Sequence, residues 1–247
     1  MKLSPKILPW FTMGAGGLGF VLRLWLFAGM DEKGLLPANH ISQTLLFILF
    51  ALVVAVTILC ARPLGPVTKY SRLFPVSLSR AIGCALCAAG CLYAGICCLQ
   101  ADFSLLQILT VISALAATIS MGCVAFFRLK GSRPSFLFHG ILTVFFMFYT
   151  VYYCQAWGTE PQVQAYSFPL LAHLFLMLYG YYLTVLSARK VPRTSMVFFS
   201  QLALFCCCLS LVGENSFFFL TMISWLVLDL CSVETIKRAA PQPPEEA

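Results

Sequence analysis

Apolar residues do not alternate with polar ones along this chain. They come in runs of about twenty, separated by short polar or charged stretches. Alternation would mark half-buried strands and a 3.6-residue stripe an amphipathic helix, whereas unbroken apolar runs of roughly 18–20 residues match helices crossing a ~30 Å hydrocarbon core. The pattern predicts eight spans, near residues 7–29, 41–61, 81–100, 105–127, 136–155, 168–188, 196–213 and 217–232. Residues 1–238 are then a single transmembrane helical domain, an all-α polytopic bundle. The proline-rich stretch AAPQPPEEA, residues 239–247, reads as a disordered tail.

Charge supplies the orientation. Lys2 and Lys6, then Arg62, Lys69, Arg72 and Arg80, then Arg128, Lys130 and Arg133, then Arg189, Lys190 and Arg193, and finally Lys237 and Arg238 occupy every second interspan segment. The intervening loops carry Asp31, Glu32, Asp102, Glu160 and Glu214 with one lysine, Lys33. Positive residues accumulate on the cytoplasmic side of a membrane, so both termini are expected there. A cleaved signal peptide is not expected, because the first run exceeds the ~7–15 residues of a signal's apolar region and contains Arg23.

Composition narrows the class. Only 10% of the residues are charged and the mean hydropathy is +0.90, where a soluble domain carries about 25% charged residues. The net charge of +7 lies in short clusters rather than in a stripe interleaved with aromatics, which argues against nucleic acid as a partner. The long Leu/Ile/Val/Phe runs argue against an outer-membrane barrel. The lipid bilayer and other membrane subunits are the partners this composition admits.

Four side chains stand out as candidate ligand-binding residues: Arg23, His40, His173 and Asp229. An ionisable group inside an apolar span is costly and defaults to a functional candidate. Arg23 lies about 9 Å below the outer interface at 1.5 Å per residue. It has two readings, a rim pairing with Asp31 or Glu32 or an anion contact in an outward-facing pocket. His40, at the outer rim, and His173, near the outer end of the sixth span, are placed to approach that pocket. Asp229 falls in the inner half of the last span. It is open to a hydrogen bond with a neighbouring span, to Lys237 or Arg238, or to proton relay.

Other motifs read as packing. Gly14-Ala-Gly16-Gly-Leu-Gly19 has the spelling of a dinucleotide fingerprint, but that mechanism needs a strand before it and a βαβ unit around it. A small-residue face for close helix approach fits better, with Ala15 and Gly19 at GxxxG spacing. Cys84, Cys87 and Cys91, like Cys206, Cys207 and Cys208, lie inside spans, where a thiol is a small packing group. Soft-metal handling by these sulfurs is a minor alternative. His139 and His173 fall at different depths and do not suit one haem. No metal site and no cofactor is assigned. Gln107 and Gln201 are expected to hydrogen-bond between helices. Without HExxH, GxSxG or paired intramembrane acids, nothing points to catalysis.

The segment RLWLFAGMDEKGLLPANH, residues 23–40, together with KYSRLFPVS, residues 69–77, resembles a group of small uncharacterised bacterial polytopic membrane proteins. The resemblance covers roughly the first third of the chain and implies a bacterial cytoplasmic membrane, without implying an activity or site residues. Two functional readings follow from the residues. One is a transport or small-solute-binding component with an outward-facing pocket near Arg23, His40 and His173. The other is a non-transporting sensor or accessory subunit of a membrane complex.

Overall fold

The computed structural model describes residues 7–30, 36, 40–62, 64, 74, 76–100, 104–157, 163–188, 193–213 and 215–230. Within them the chain is all helical, with no strand. Eight helices follow in order: α1 (Leu8–Ala28), α2 (Ile41–Ala61), α3 (Leu78–Leu99), α4 (Leu105–Lys130), α5 (Phe136–Trp157), α6 (Val163–Ala188), α7 (Arg193–Leu209) and α8 (Ser216–Leu230). The expected tail and most of the basic 62–80 segment lie outside the described residues.

Helices α1 to α6 are long and apolar enough to cross a membrane. The described parts of α7 and α8 have 17 and 15 residues, or about 26 and 22 Å at 1.5 Å per residue. Of these two, α7 sits inside the bundle, whereas α8 leaves Phe217 and Leu220 exposed. From Ser200 to Leu209 every residue of α7 is buried, the mark of a helix enclosed on all sides.

The packing partners give the plan. Helices α3, α4, α5, α6, α7 and α8 each lie against the next, and α8 closes back on α3. The six therefore form a ring, and α1 and α2 pack together onto the outside of α7. Consecutive helices run in opposite directions. Thr194, opening α7, donates to the carbonyls of Ala61, the last residue of α2, and of Leu64 just beyond it. The side chain of Asn215, just before α8, reaches Tyr153 late in α5. Arg62, Arg80, Arg128, Lys130, Arg133 and Arg193 accordingly share one end of the molecule, and Arg23 lies toward the other.

Local chemistry fixes several termini. Helix α4 opens with a reciprocal capping box: Ser104 Oγ accepts from the Gln107 amide at 3.1 Å, and Gln107 Oε1 accepts from Ser104 N at 3.1 Å. It ends at Gly131, whose φ of 69° suits a residue without a Cβ. Helix α2 starts at His40, whose Nδ1 accepts from the Ser42 amide at 3.3 Å.

Small residues set the closest contacts. A Cβ at Gly16 would lie 2.8 Å from Cys208 Cβ, and one at Gly19 would lie 2.5 Å from Leu209 Cδ1. The apparent nucleotide fingerprint is thus the face on which α1 seats against α7. On α3, Gly83 and Gly90 face Leu228, Thr221 and Met222 of α8, while Gly95 faces Ala114 of α4. Cys84, Cys87 and Cys91 are fully buried on the same helix, and Cys87 Sγ lies 3.9 Å from Met222 Sδ. The cysteines described are unbridged. They pack, as their place in the spans predicts.

Candidate functional site

A pocket of about 230 Å³ opens between α1, α2 and α6. Its walls are Leu26, Phe27, Leu46, Phe47 and Phe168, and its polar lining is Arg23, Gln43 and Ser167. Only 3% of the Arg23 surface is exposed. A backbone carbonyl and two aromatic rings help to hold its guanidinium in place. Nη1 donates to the carbonyl of Leu209 at 3.0 Å, and the group lies 5.3 Å from the Phe27 ring centroid and 5.9 Å from that of Phe168. Leu209 is the last residue of α7, where the helix dipole is negative, and the ring faces attract a cation. Asp31 and Glu32, the rim partners considered from the sequence, lie outside the described residues.

The structure separates the other three candidates from this pocket. His40 caps α2 and meets the edge of Trp25, with ring centroids 5.1 Å apart. His173 is fully buried among Tyr149, Tyr153, Phe218 and Phe219, at centroid distances of 4.8, 5.4, 5.6 and 5.4 Å. It belongs to the interior of the six-helix ring, so His40 and His173 sit in different surroundings. Asp229 is also inside the ring, toward the basic end.

Asp229 forms a hub that the sequence did not reveal. Arg128 on α4 binds it through both guanidinium branches, the second at 3.3 Å. Tyr179 on α6 donates to its Oδ2 at 3.5 Å. Helices α4, α6 and α8 alternate around the ring, so this one carboxylate links three helices that do not pack side by side. Phe74 lies beneath two cations, 4.5 Å from Arg128 and 5.7 Å from Arg80. Beside the hub, His139 Nδ1 and Ser187 Oγ are 3.3 Å apart, and Arg133 donates to the Ser187 carbonyl.

This corrects the placement of three basic residues. Arg80, Arg128 and Arg193, expected in the segments between spans, lie in the first or last turns of α3, α4 and α7 and are buried. The reason is local: the Asp229 carboxylate and the Phe74 ring give Arg128 and Arg80 a better site inside than at the rim. One signal in the sequence pointed there. Asp229 is an intramembrane acid, and such a group requires a cation at its own depth.

Gln107 does link helices, donating from Nε2 to the Cys98 carbonyl of α3. Gln201 differs from expectation: it is fully buried, and among the described residues neither amide atom has a hydrogen-bond partner. Among the described residues no group of three His, Cys, Asp or Glu side chains is placed to hold a metal ion.

Six apolar helices of membrane length, enclosing charged and aromatic side chains, fit an integral membrane protein built as a helical bundle. Compared with known protein families, with curated proteins and with solved structures, the chain matches none.

Proposed function

We propose that this chain is a polytopic membrane component that binds a small monocarboxylate in the pocket beside Arg23. The observation that carries the reading is an almost fully buried guanidinium lining an open pocket. A cation within an apolar segment is expensive, and here its planar fork borders a space walled by leucine and phenylalanine. Guanidinium recognises carboxylate through two parallel hydrogen bonds. The apolar walls suit a short carbon body, and Gln43 and Ser167 suit a 2-hydroxyl or 2-oxo oxygen. A volume of about 230 Å³ falls below the ~300–1,000 Å³ of typical drug-sized sites, which favours a solute of a few heavy atoms.

Binding of lactate to the purified protein in mild detergent tests this. Truncating one partner of a buried charged pair costs about 2–5 kcal/mol, so Arg23→Ala should weaken binding at least ~30-fold. Arg23→Lys, which lacks the planar fork, should recover little of it. Equal affinity in Arg23→Ala and the wild type would remove the pocket from consideration.

The same reading has eight spans, both termini in the cytoplasm, and the pocket facing outward. It is supported by the gathering of the described basic residues, Arg23 apart, at the end opposite the pocket. Reporter fusions after Asp102, Glu160 and Glu214 should report outside, and a fusion directly after Arg133 inside. An outside signal at Arg133 refutes the arrangement.

A further inference from the structure

We infer that a second polar station lies below the Arg23 pocket in the α1–α2–α7 seam, and that it passes the bound solute onward as a neutral carboxylic acid, together with one proton. The inference rests on the pocket reading above and adds passage to binding.

The station follows from register. Thr194, Gln201 and Cys208 are seven residues apart on α7 and so share one stripe. Thr194 hydrogen-bonds the end of α2 and Cys208 faces Gly16 of α1, so Gln201, midway between them, faces the α1–α2 side. Leu8, Cys60, Ala61 and Val197 form one buried cluster across the three helices. One turn further from the basic end, each helix presents a polar side chain in its buried stripe: Thr12, Thr57 and Gln201. The next layers are Gly16 with Phe205, then Gly19 with Leu49 and Leu209, and the Arg23 pocket lies above them. Thr12 and Arg23 are eleven residues apart, about 16 Å along α1.

All three polar side chains of this layer are fully buried. Thr12 donates to the Leu8 carbonyl, but among the described residues Thr57 Oγ1 and both amide atoms of Gln201 have no hydrogen-bond partner. Buried polar groups are normally satisfied, and a bilayer interior offers no bulk water to do it. A primary amide offers one acceptor beside two donors, and a protonated carboxyl offers one donor beside one acceptor. The two pair face to face: the acid O–H donates to Gln201 Oε1, Gln201 Nε2 donates to the acid carbonyl, and Thr57 donates a third bond.

The two stations therefore hold different protonation states. At the pocket Arg23 holds the carboxylate anion. A proton from the water at the pocket mouth then bonds to a carboxylate oxygen, giving a neutral acid that escapes the cost of moving an anion through apolar layers. At the basic end the O–H bond breaks, and carboxylate and proton leave to water. One proton moves per solute, no net charge crosses, and nothing is oxidised or reduced. Among the described residues, the ionisable side chains that α1, α2 and α7 turn to this seam are Arg23, Cys60, Arg193, Cys206 and Cys208, none of them a carboxylate or a histidine. The proton thus travels on the solute rather than on a carboxylate or histidine of the seam.

The test uses the full chain in liposomes loaded with a pH-sensitive dye. An inward lactate gradient should acidify the lumen at least tenfold faster than in protein-free vesicles, at the same rate under a potassium-diffusion potential of either sign. Gln201→Leu removes an unpartnered amide and should melt no lower than the wild type. It should still bind lactate while its uptake falls to the protein-free rate. Thr57→Val, close to isosteric, should reduce uptake in the same direction. Uptake at the wild-type rate in both variants, or uptake that follows the imposed potential, overturns the inference. Wild-type binding without uptake overturns it and leaves the pocket reading standing, whereas no lactate binding at all overturns both.

Discussion

Arg128→Met alone should destabilise the bundle by about 3–5 kcal/mol, the typical cost of breaking a buried ion pair by removing one partner. The substitution keeps an unbranched side chain of similar reach but leaves the Asp229 carboxylate without its guanidinium in a site shielded from water. Asp229→Leu should cost a comparable amount by stranding Arg128 on the Phe74 ring. Arg128→Met with Asp229→Leu should recover most of the loss, because replacing both charges with apolar groups of similar volume is often neutral or stabilising. Thermal unfolding in mild detergent measures all three proteins. If the single variants melt with the wild type, the pair does not hold α4, α6 and α8 together. If the double variant is as unstable as the singles, the cost comes from lost volume rather than stranded charge.

The helices were readable because crossing a bilayer imposes length and apolarity on each segment independently of the others. Runs such as residues 41–61 need no partner to be recognised, and α2 occupies that same stretch. The small-residue face of α1 was readable for a similar reason: glycines at helical spacing serve close approach whichever helix approaches. The hub was not readable. Arg128 looks like any arginine at the end of an apolar run, and only the ring arrangement brings α4 and α8 to opposite sides of one carboxylate. His173 shows the converse. The choice between the Arg23 pocket and the ring interior depends on whether α6 turns that face toward α2 or toward α5 and α8. Helix rotation is set by packing, and the α6 sequence is apolar nearly all round, so no stripe betrays it. Gln201 was visible as a polar residue in a span, while its lack of a partner is a property of three helices at once.

The second large effect is expected at Gly90, where α3 meets α8. A Cβ there would sit 2.2 Å from Thr221 Oγ1, 2.8 Å from Met222 Cε and 3.2 Å from Thr221 Cβ. The methionine tip can swing away and the threonine hydroxyl can rotate, at the loss of its 2.7 Å bond to the Phe218 carbonyl. The Thr221 Cβ is fixed to the backbone, so relief requires the helices to part. Between helices in lipid there is little hydrophobic drive to offset a gap, because the tails are as apolar as leucine; close backbone approach through small residues carries the contact. Gly90→Ala should therefore cost about 1–3 kcal/mol, the range for overpacking a filled core, and Gly90→Val more. Thr221→Ala placed in the Gly90→Ala background removes the nearest atom and should restore part of the stability, though less than all, because the Cβ contact remains. Melting temperatures in detergent for the three proteins decide it. Gly90→Ala melting with the wild type would mean that α3 and α8 do not approach as closely as the glycine implies, and a Gly90→Ala defect untouched by Thr221→Ala would place the strain elsewhere on α3. A parallel substitution at Gly83, whose Cβ would meet Leu228 Cβ at 3.2 Å with no nearer atom, should cost less than the one at Gly90. That ordering follows from the Thr221 hydroxyl and the Met222 tip, since both sites share the residue, the helix, the facing helix and a 3.2 Å contact to the opposing Cβ.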